Sequence, residues 1–201
     1  RGRGSETTPT PVKAKAIELG LKVVEVEDLR SKEFEEQLKD FDIDLFVVVA
    51  FRILPKNILE IPKIGSINLH ASLLPKYRGA APIHWAIING EEETGCTIFF
   101  LDEKVDTGNI VLQHKVSIKD NETTGELYSK LMSTGSTQLL KAIDIIDSGN
   151  YKLESQDDSK ATPAPKLFNE NTYIDFNQPA KEVQFYSCHP IPSYSEQHNI
   201  F

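Results

Sequence analysis

Residues 45–51 read LFVVVAF, and this stretch decides the fold class of the 201-residue chain. The run is unbroken, apolar and rich in β-branched valine, and it follows closely after Asp42 and Asp44. It is short for a helix and lacks the alternation of a half-exposed strand, so it predicts a strand that is buried on both faces. Such strands occur in parallel sheets that are covered by helices, which indicates an α/β domain.

Outward from this run, further strands and helices are predicted in alternation. The other predicted strands are residues 21–26, 66–70, 97–101 and 110–116. The predicted helices are residues 10–20, 31–39, 80–89 and 123–147. This order predicts a mostly parallel sheet with right-handed crossovers and helices on both faces. The last two strands are joined by a short loop, so we expect that pair to be antiparallel.

The composition changes after residue 150. Residues 154–165, ESQDDSKATPAP, are polar and contain two prolines, which is typical of a linker. We therefore predict a first domain over residues 1–153, a linker over 154–176 and the start of a second domain over 177–201. The last piece is too short to fold alone.

The overall charge limits the functions that fit the chain. The net charge is −8 and the pI is about 5.2, which argues against sequence-independent DNA binding but allows a local basic patch. No apolar run approaches the roughly 20 residues that a membrane helix needs. The two cysteines, Cys96 and Cys188, are far apart, so we expect reduced thiols in a cytoplasmic protein and no metal site.

Asn68 and His70 are the first candidate functional residues. On a strand, positions 68 and 70 point to the same face, and here they stand at the strand's carboxyl end, where ligands bind in open α/β sheets. An amide and an imidazole side by side are able to stabilise the oxyanion of an acyl transfer. Taken alone, this tripeptide is more often an ordinary strand end.

Two nearby loops favour a functional role for Asn68 and His70 over an ordinary strand end. The loop over 75–82, PKYRGAAP, has two cations and a glycine that permits close backbone approach. The loop over 102–108, DEKVDTG, has three carboxylates, and a carboxylate near His70 would orient the ring and accept a proton from an attacking amine. The plain alternatives are a solvated β-to-α connection and a tight turn, respectively.

Taken together and in order, these pieces resemble a known family. Residues 67–111 contain N-x-H, S-L-L-P, R-G-A-A-P, E-T-G and D-T-G, and this series closely resembles the core of the methionyl-tRNA formyltransferases. The resemblance extends to residues 1–20 and to ATPAPKL at 161–167, and it covers about residues 1–180. It implies a Rossmann-like fold in which the strand and helix that open the family's domain are missing before Arg1.

The resemblance also implies an activity. The expected reaction transfers a formyl group from 10-formyltetrahydrofolate to the α-amine of methionyl-initiator-tRNA in translation initiation. By position, the catalytic residues would be Asn68, His70 and Asp106. The folate site would be lined by Ser72, Leu73, Leu74 and Pro75. The expected partners are therefore folate and tRNA, with no membrane and no DNA, and we expect a monomer.

Four alternatives stay open at this point. A formyltransferase that acts on a nucleotide-linked amino sugar would use the same three residues, although R-G-A-A-P favours the tRNA enzyme. A glycinamide ribonucleotide formyltransferase fits less well, because P-K-Y-R-G replaces the loop expected there. A domain that holds folate without catalysis is disfavoured because all three positions are filled, and a plain α/β scaffold would leave the Asn-His-Asp coincidence unexplained.

The resemblance is weak at the end of the sequence. Residues 185–201 match poorly, and we expect the 201 residues not to include the family's C-terminal barrel, which helps to bind tRNA.

Overall fold

The computed structural model describes residues 9–49, 52–168 and 176–177. Four strands form one open sheet in the order β1-β2-β3-β4. The strands are β1 (Leu45–Val48), β2 (Gly65–His70), β3 (Glu93–Phe100) and β4 (Ile110–Ser117). β1 and β2 are parallel, whereas β3 runs antiparallel to both of its neighbours. The α/β class and the antiparallel β3–β4 pair are confirmed.

The prediction of a mostly parallel sheet is wrong for the described strands, since only the β1–β2 pairing is parallel. The helix between β2 and β3, α4 (Pro82–Ile88), has seven residues. Such a helix spans roughly 10 Å, about half the length of a six-residue strand, and is too short to carry the chain back along the sheet. The chain therefore enters β3 beside the carboxyl end of β2, where His70 pairs with Thr97.

The predicted strand over residues 21–26 is also wrong. This segment forms no ladder with another part of the described chain. The main-chain carbonyls of Val26 and Glu27 instead accept hydrogen bonds of 2.9 Å each from the guanidinium of Arg52. Without a neighbouring strand, apolar alternation alone does not make a strand.

The long predicted helices are confirmed to within two residues at each end. They are α1 (Pro11–Glu18), α2 (Lys32–Lys39), α4, and α5 (Thr124–Asp147); a four-residue helix, α3 (Lys56–Leu59), was not predicted. Side chains at the N-caps explain where α1, α2 and α5 begin. Thr10 accepts from the Lys13 amide, Ser31 accepts from the Phe34 amide, and Thr123 and Glu126 form a reciprocal capping box. None of the described helices is both long enough and apolar enough to cross a bilayer.

Helices cover both faces of the sheet, as predicted. On one face, Ile67 and Ile98 pack against Ala142 and Ile146 of α5. On the other, a cleft is lined by side chains of α2, β1 and α3, among them Phe34, Leu38, Phe46, Val48 and Ile58. Because side chains alternate along a strand, Asn68 and His70 lie on the face opposite α5.

Residues 154–165, which we call the strap, pack against the rest of the domain. The strap begins with a bridge between Glu154 and Ile110 and includes a 3₁₀ turn at Asp158–Lys160. Further along, Arg78 donates its amide to the Thr162 carbonyl (2.9 Å) and accepts from the Ala164 amide (2.6 Å). The domain boundaries remain predictions, and the segment expected to start a second domain, residues 177–201, lies almost wholly outside the described residues.

Candidate active site

His70 is the last residue of β2, and its ring is buried. Its Nε2 atom lies 2.8 Å from the main-chain carbonyl oxygen of Tyr77. A carbonyl oxygen only accepts hydrogen bonds, so Nε2 must carry a proton and donate it. The second ring nitrogen, Nδ1, is therefore the one left to exchange a proton with other groups.

Asp106 lies in the loop between β3 and β4, and its carboxylate faces that second nitrogen. Its Oδ2 atom is 3.7 Å from Nδ1 of His70, and both side chains are nearly buried. The same oxygen accepts a hydrogen bond of 2.8 Å from the Gly79 amide, which holds the carboxylate in place. The carboxylate therefore faces the ring nitrogen that the bond to Tyr77 leaves unused.

Asn68 stands two residues before His70 on the same strand and the same face. Its side chain is partly exposed, and its carboxamide makes no hydrogen bond within the part of the chain that the structure describes. An amide is rarely left without a partner at such a place unless solvent or a ligand provides one. The structure thus brings His70 and Asp106 together and leaves the donors of Asn68 available beside them.

The four residues expected to line a folate site divide into two pairs. Ser72 is buried and donates its hydroxyl to the Lys76 carbonyl (2.6 Å), and Leu74 packs with Phe99 and Ile110. These two side chains stabilise the loop from inside. Leu73 and Pro75 are partly exposed and are the two that reach the surface. Contact of any of the four with folate remains a prediction.

Tyr77 is a site residue that the sequence analysis missed. It adopts a left-handed backbone conformation (φ 62°), and its amide donates to the hydroxyl of Thr162 (2.9 Å). Burial and a hydrogen bond to Glu91 raise the pKa of Tyr77 to about 12, so its phenol stays neutral. Its link to His70 runs through a main-chain carbonyl, and a contact of that kind leaves no mark on residue type.

Gln156 of the strap is the second residue that was missed. Its Nε2 donates to the carbonyls of Asp106 (3.0 Å) and Gly108 (2.8 Å), while its Oε1 accepts from Arg78 (2.7 Å). A single glutamine in a polar stretch gives no indication in the sequence that it binds the loop that contains Asp106. The plain alternative for the loop over 75–82, a solvated connection, does not hold for Arg78, which also pairs with Asp158 and is mostly covered.

A profile of the family described as Formyl transferase matches residues 1–143. This chain belongs to the formyl transferase family. The match covers well over half of the chain and includes the three residues of the site, so the resemblance seen in the motifs is confirmed. Membership also confirms the Rossmann-like character of the sheet described above.

Two relatives show which formyl transferases this chain is similar to. It is 46% identical over 184 residues to methionyl-tRNA formyltransferase from Clostridioides difficile (strain 630), covering 91% of this chain and 60% of that protein. It is 47% identical over 183 residues to the enzyme of that name from Chlorobium limicola, covering 91% of this chain and 58% of that protein. The chain thus spans about 60% of the length of these curated relatives.

Solved structures of formyl transferases share the fold. The sugar 3N-formyl transferase WlaRD, determined with dTDP and 5-N-formyl-THF, is 26% identical with a TM-score of 0.71 and covers 87% of this chain and 61% of that one. An N-formyltransferase from Helicobacter canadensis, in complex with folinic acid and dTDP-3-aminofucose, is 28% identical with a TM-score of 0.69, covering 86% and 61%. The chain is therefore similar to both sugar and tRNA formyltransferases, and its sequence identity to the tRNA enzymes is higher.

Proposed function

We propose that this formyl transferase moves a formyl group from 10-formyltetrahydrofolate to the α-amine of methionyl-initiator-tRNA. The observation that carries the proposal is the buried His70–Asp106 pair, 3.7 Å apart, on the same side of the sheet as the Asn68 carboxamide, which has no partner among the described residues. The choice of acceptor rests on the named relatives, which are 46% and 47% identical over 91% of the chain. Formylated methionyl-tRNA serves translation initiation.

The side chains fit a formyl donor. A formyl group presents a small carbonyl whose oxygen gains negative charge when an amine attacks its carbon. The Asn68 amide is free to donate to that oxygen because it makes no internal hydrogen bond among the described residues. Nδ1 of His70, when it carries a proton, is the second donor, because Nε2 is already bonded to Tyr77. We therefore infer that Asn68 and His70 together stabilise the developing oxyanion.

Asp106 completes the proton balance. As the amine forms its bond to the formyl carbon, it must lose a proton, and the nitrogen released by the folate must gain one. Asp106 is placed to accept the amine proton, directly or through water, and His70 to return a proton through Nδ1. The nearly buried setting strengthens these interactions, because charges interact more strongly away from bulk water.

A sugar amine is the second candidate acceptor. It is favoured by one observation, the likeness to solved sugar formyltransferases with TM-scores of 0.69 and 0.71. The same three side chains would serve that reaction, since both acceptors offer a primary amine to the same donor. The higher identity to the tRNA enzymes favours methionyl-tRNA.

Direct competition between the acceptors tests the proposal. The full-length protein is given 10-formyltetrahydrofolate together with equal concentrations of methionyl-initiator-tRNA and a dTDP-linked amino sugar. We expect formyl-methionyl-tRNA as the main product. Formylation of the sugar alone would replace the proposed acceptor, and formylation of neither would contradict both candidates.

A further inference from the structure

Gln156 turns its side chain inward from a stretch that otherwise faces solvent. All residues from 152 to 160 except Gln156 are exposed. The Gln156 carboxamide uses both of its ends on two separate loops. Its nitrogen donates to the carbonyls of Asp106 and Gly108, and its oxygen accepts from Nη2 and Nε of Arg78 at 2.7 and 3.2 Å.

The turn that Gln156 holds is the one that presents the Asp106 carboxylate. Asp106 has a φ of 55°, a left-handed conformation that is unfavourable for a non-glycine residue and must be stabilised by its surroundings. Its main-chain carbonyl is bonded by Gln156, and its carboxylate is bonded by the Gly79 amide (2.8 Å). The turn is thus fixed from two sides, with Oδ2 at 3.7 Å from His70.

We propose that Gln156 is a positioning residue: its carboxamide fixes the Asp106 turn and so holds the carboxylate at its place beside His70. The effect on rate rests on the proposed function, because Gln156 touches no reacting group and acts only through Asp106. Through this one side chain, the strap contributes to the working site. A small displacement of a catalytic group is known to lower rates by up to about 100-fold.

The substitution Gln156→Glu tests the donor end of this side chain separately from its acceptor end. It keeps the length and the acceptor for Arg78, but it replaces the two N–H donors with an oxygen that faces two carbonyl oxygens. The matched control is Asp158→Asn, a neighbouring strap residue that is exposed and contacts the same Arg78. Gln156→Ala provides a second variant that introduces no charge. Circular dichroism and thermal unfolding establish that each variant is folded.

Two readouts are measured on the full-length protein. Steady-state kinetics give kcat and the KM for 10-formyltetrahydrofolate. Amide hydrogen exchange of Gly79, followed by NMR, reports the position of the Asp106 carboxylate without any reaction, because that carboxylate accepts the Gly79 hydrogen bond.

We expect Gln156→Glu to lower kcat by about 10- to 100-fold while the KM changes by less than about twofold. We expect Gly79 exchange to become at least about tenfold faster, with Gln156→Ala intermediate and Asp158→Asn unchanged in both readouts. Unchanged Gly79 exchange in a folded Gln156 variant would overturn the proposal, even if the rate fell. Faster exchange with an unchanged kcat would overturn the link to catalysis. If the wild-type protein transfers no formyl group, the proposed function fails, and Gly79 exchange still decides whether Gln156 holds Asp106.

Discussion

At the residue scale, the site depends on which atoms of His70 are already used. Nε2 donates its hydrogen bond to the Tyr77 carbonyl, so Nδ1 is the ring nitrogen that faces Asp106. Nδ1 is therefore the atom through which His70 would exchange a proton in the proposed reaction. Asn68, on the same strand, and Asp106, in the loop after β3, would have the other tasks proposed above.

Asp106→Asn tests the task of the carboxylate. The amide keeps the shape and an oxygen to accept from Gly79, so the fold and the donor affinity should be retained. The variant cannot accept a proton, and we expect kcat to fall by about 100- to 10,000-fold. Turnover and the dissociation constant for the folate donor are measured side by side. Asp147→Asn, an exposed position on α5, is the control, and comparable losses in both variants would remove Asp106 from the mechanism.

Gly79 shows how closely the strap approaches the loop. With φ at 126°, a Cβ there would lie 2.6 Å from the carbonyl oxygen of Ala164. Gly79→Ala should therefore displace the strap and destabilise the protein by about 1–3 kcal/mol in urea unfolding. Gly125→Ala in α5 meets nothing within 4 Å and should be neutral or stabilising. Equal stability of Gly79→Ala and wild type would mean that the strap does not depend on this contact.

At the element scale, the capping box of α5 gives a pH-dependent prediction. Hydrogen bonds from the main chain and hydroxyl of Thr123 hold the pKa of Glu126 below its ordinary value near 4.5. Because the folded pKa is the lower one, this stabilisation is present above pH 4.5 and is lost as the pH falls through the folded value. Thr123→Ala should cost about 1 kcal/mol at neutral pH.

The stability difference between wild type and Thr123→Ala should therefore narrow when unfolding is repeated below pH 4 to 5. Thr137→Ala makes the same chemical change in the exposed middle of the helix, where we expect little change at any pH. A constant difference across the pH range would show that the Glu126 carboxylate takes no part in the cap.

The elements that could be predicted are those whose signals are local. The strand at 45–48, the helices over 31–39 and 123–147 and the same-face placement of Asn68 with His70 follow from composition and periodicity. The predicted burial of that strand on both faces is wrong, because β1 lies at the edge of the sheet and Val47 is 42% exposed. The antiparallel return into β3 did not follow, because it depends on the short length of α4. The contacts of Tyr77 and Gln156 could not be predicted either. They run to main-chain carbonyls, which every residue offers, and join segments distant in sequence.

At the scale of the whole molecule, the candidate site lies on one face of the sheet only. The face toward α5 holds the packed cluster that includes Ile67, Ile98 and Ile146, while the opposite face holds the candidate site beside a second packed cluster that includes Phe99. Side chains alternate along β2, so neighbouring residues serve these two purposes. Substitutions on the two faces should therefore change different measurements.

Ile98→Val tests this separation. Ile98 is fully buried on the α5 face, so losing one methylene should cost about 0.5–1.5 kcal/mol of unfolding free energy. At a temperature where the variant stays folded, we expect kcat to change by less than about twofold. Ile53→Val, at a largely exposed position, should change neither quantity. A large loss of kcat in Ile98→Val would show that the packing on that face sets the geometry of the site.

The most direct measurement is a crystal structure of the full-length protein with 5-formyltetrahydrofolate, a stable analogue of the donor. We predict that its formyl oxygen lies within about 3.5 Å of the Asn68 amide nitrogen and of Nδ1 of His70, with the Asp106 carboxylate next to them. A folate bound elsewhere, or a formyl group turned away from these three side chains, would contradict their assignment as the catalytic site.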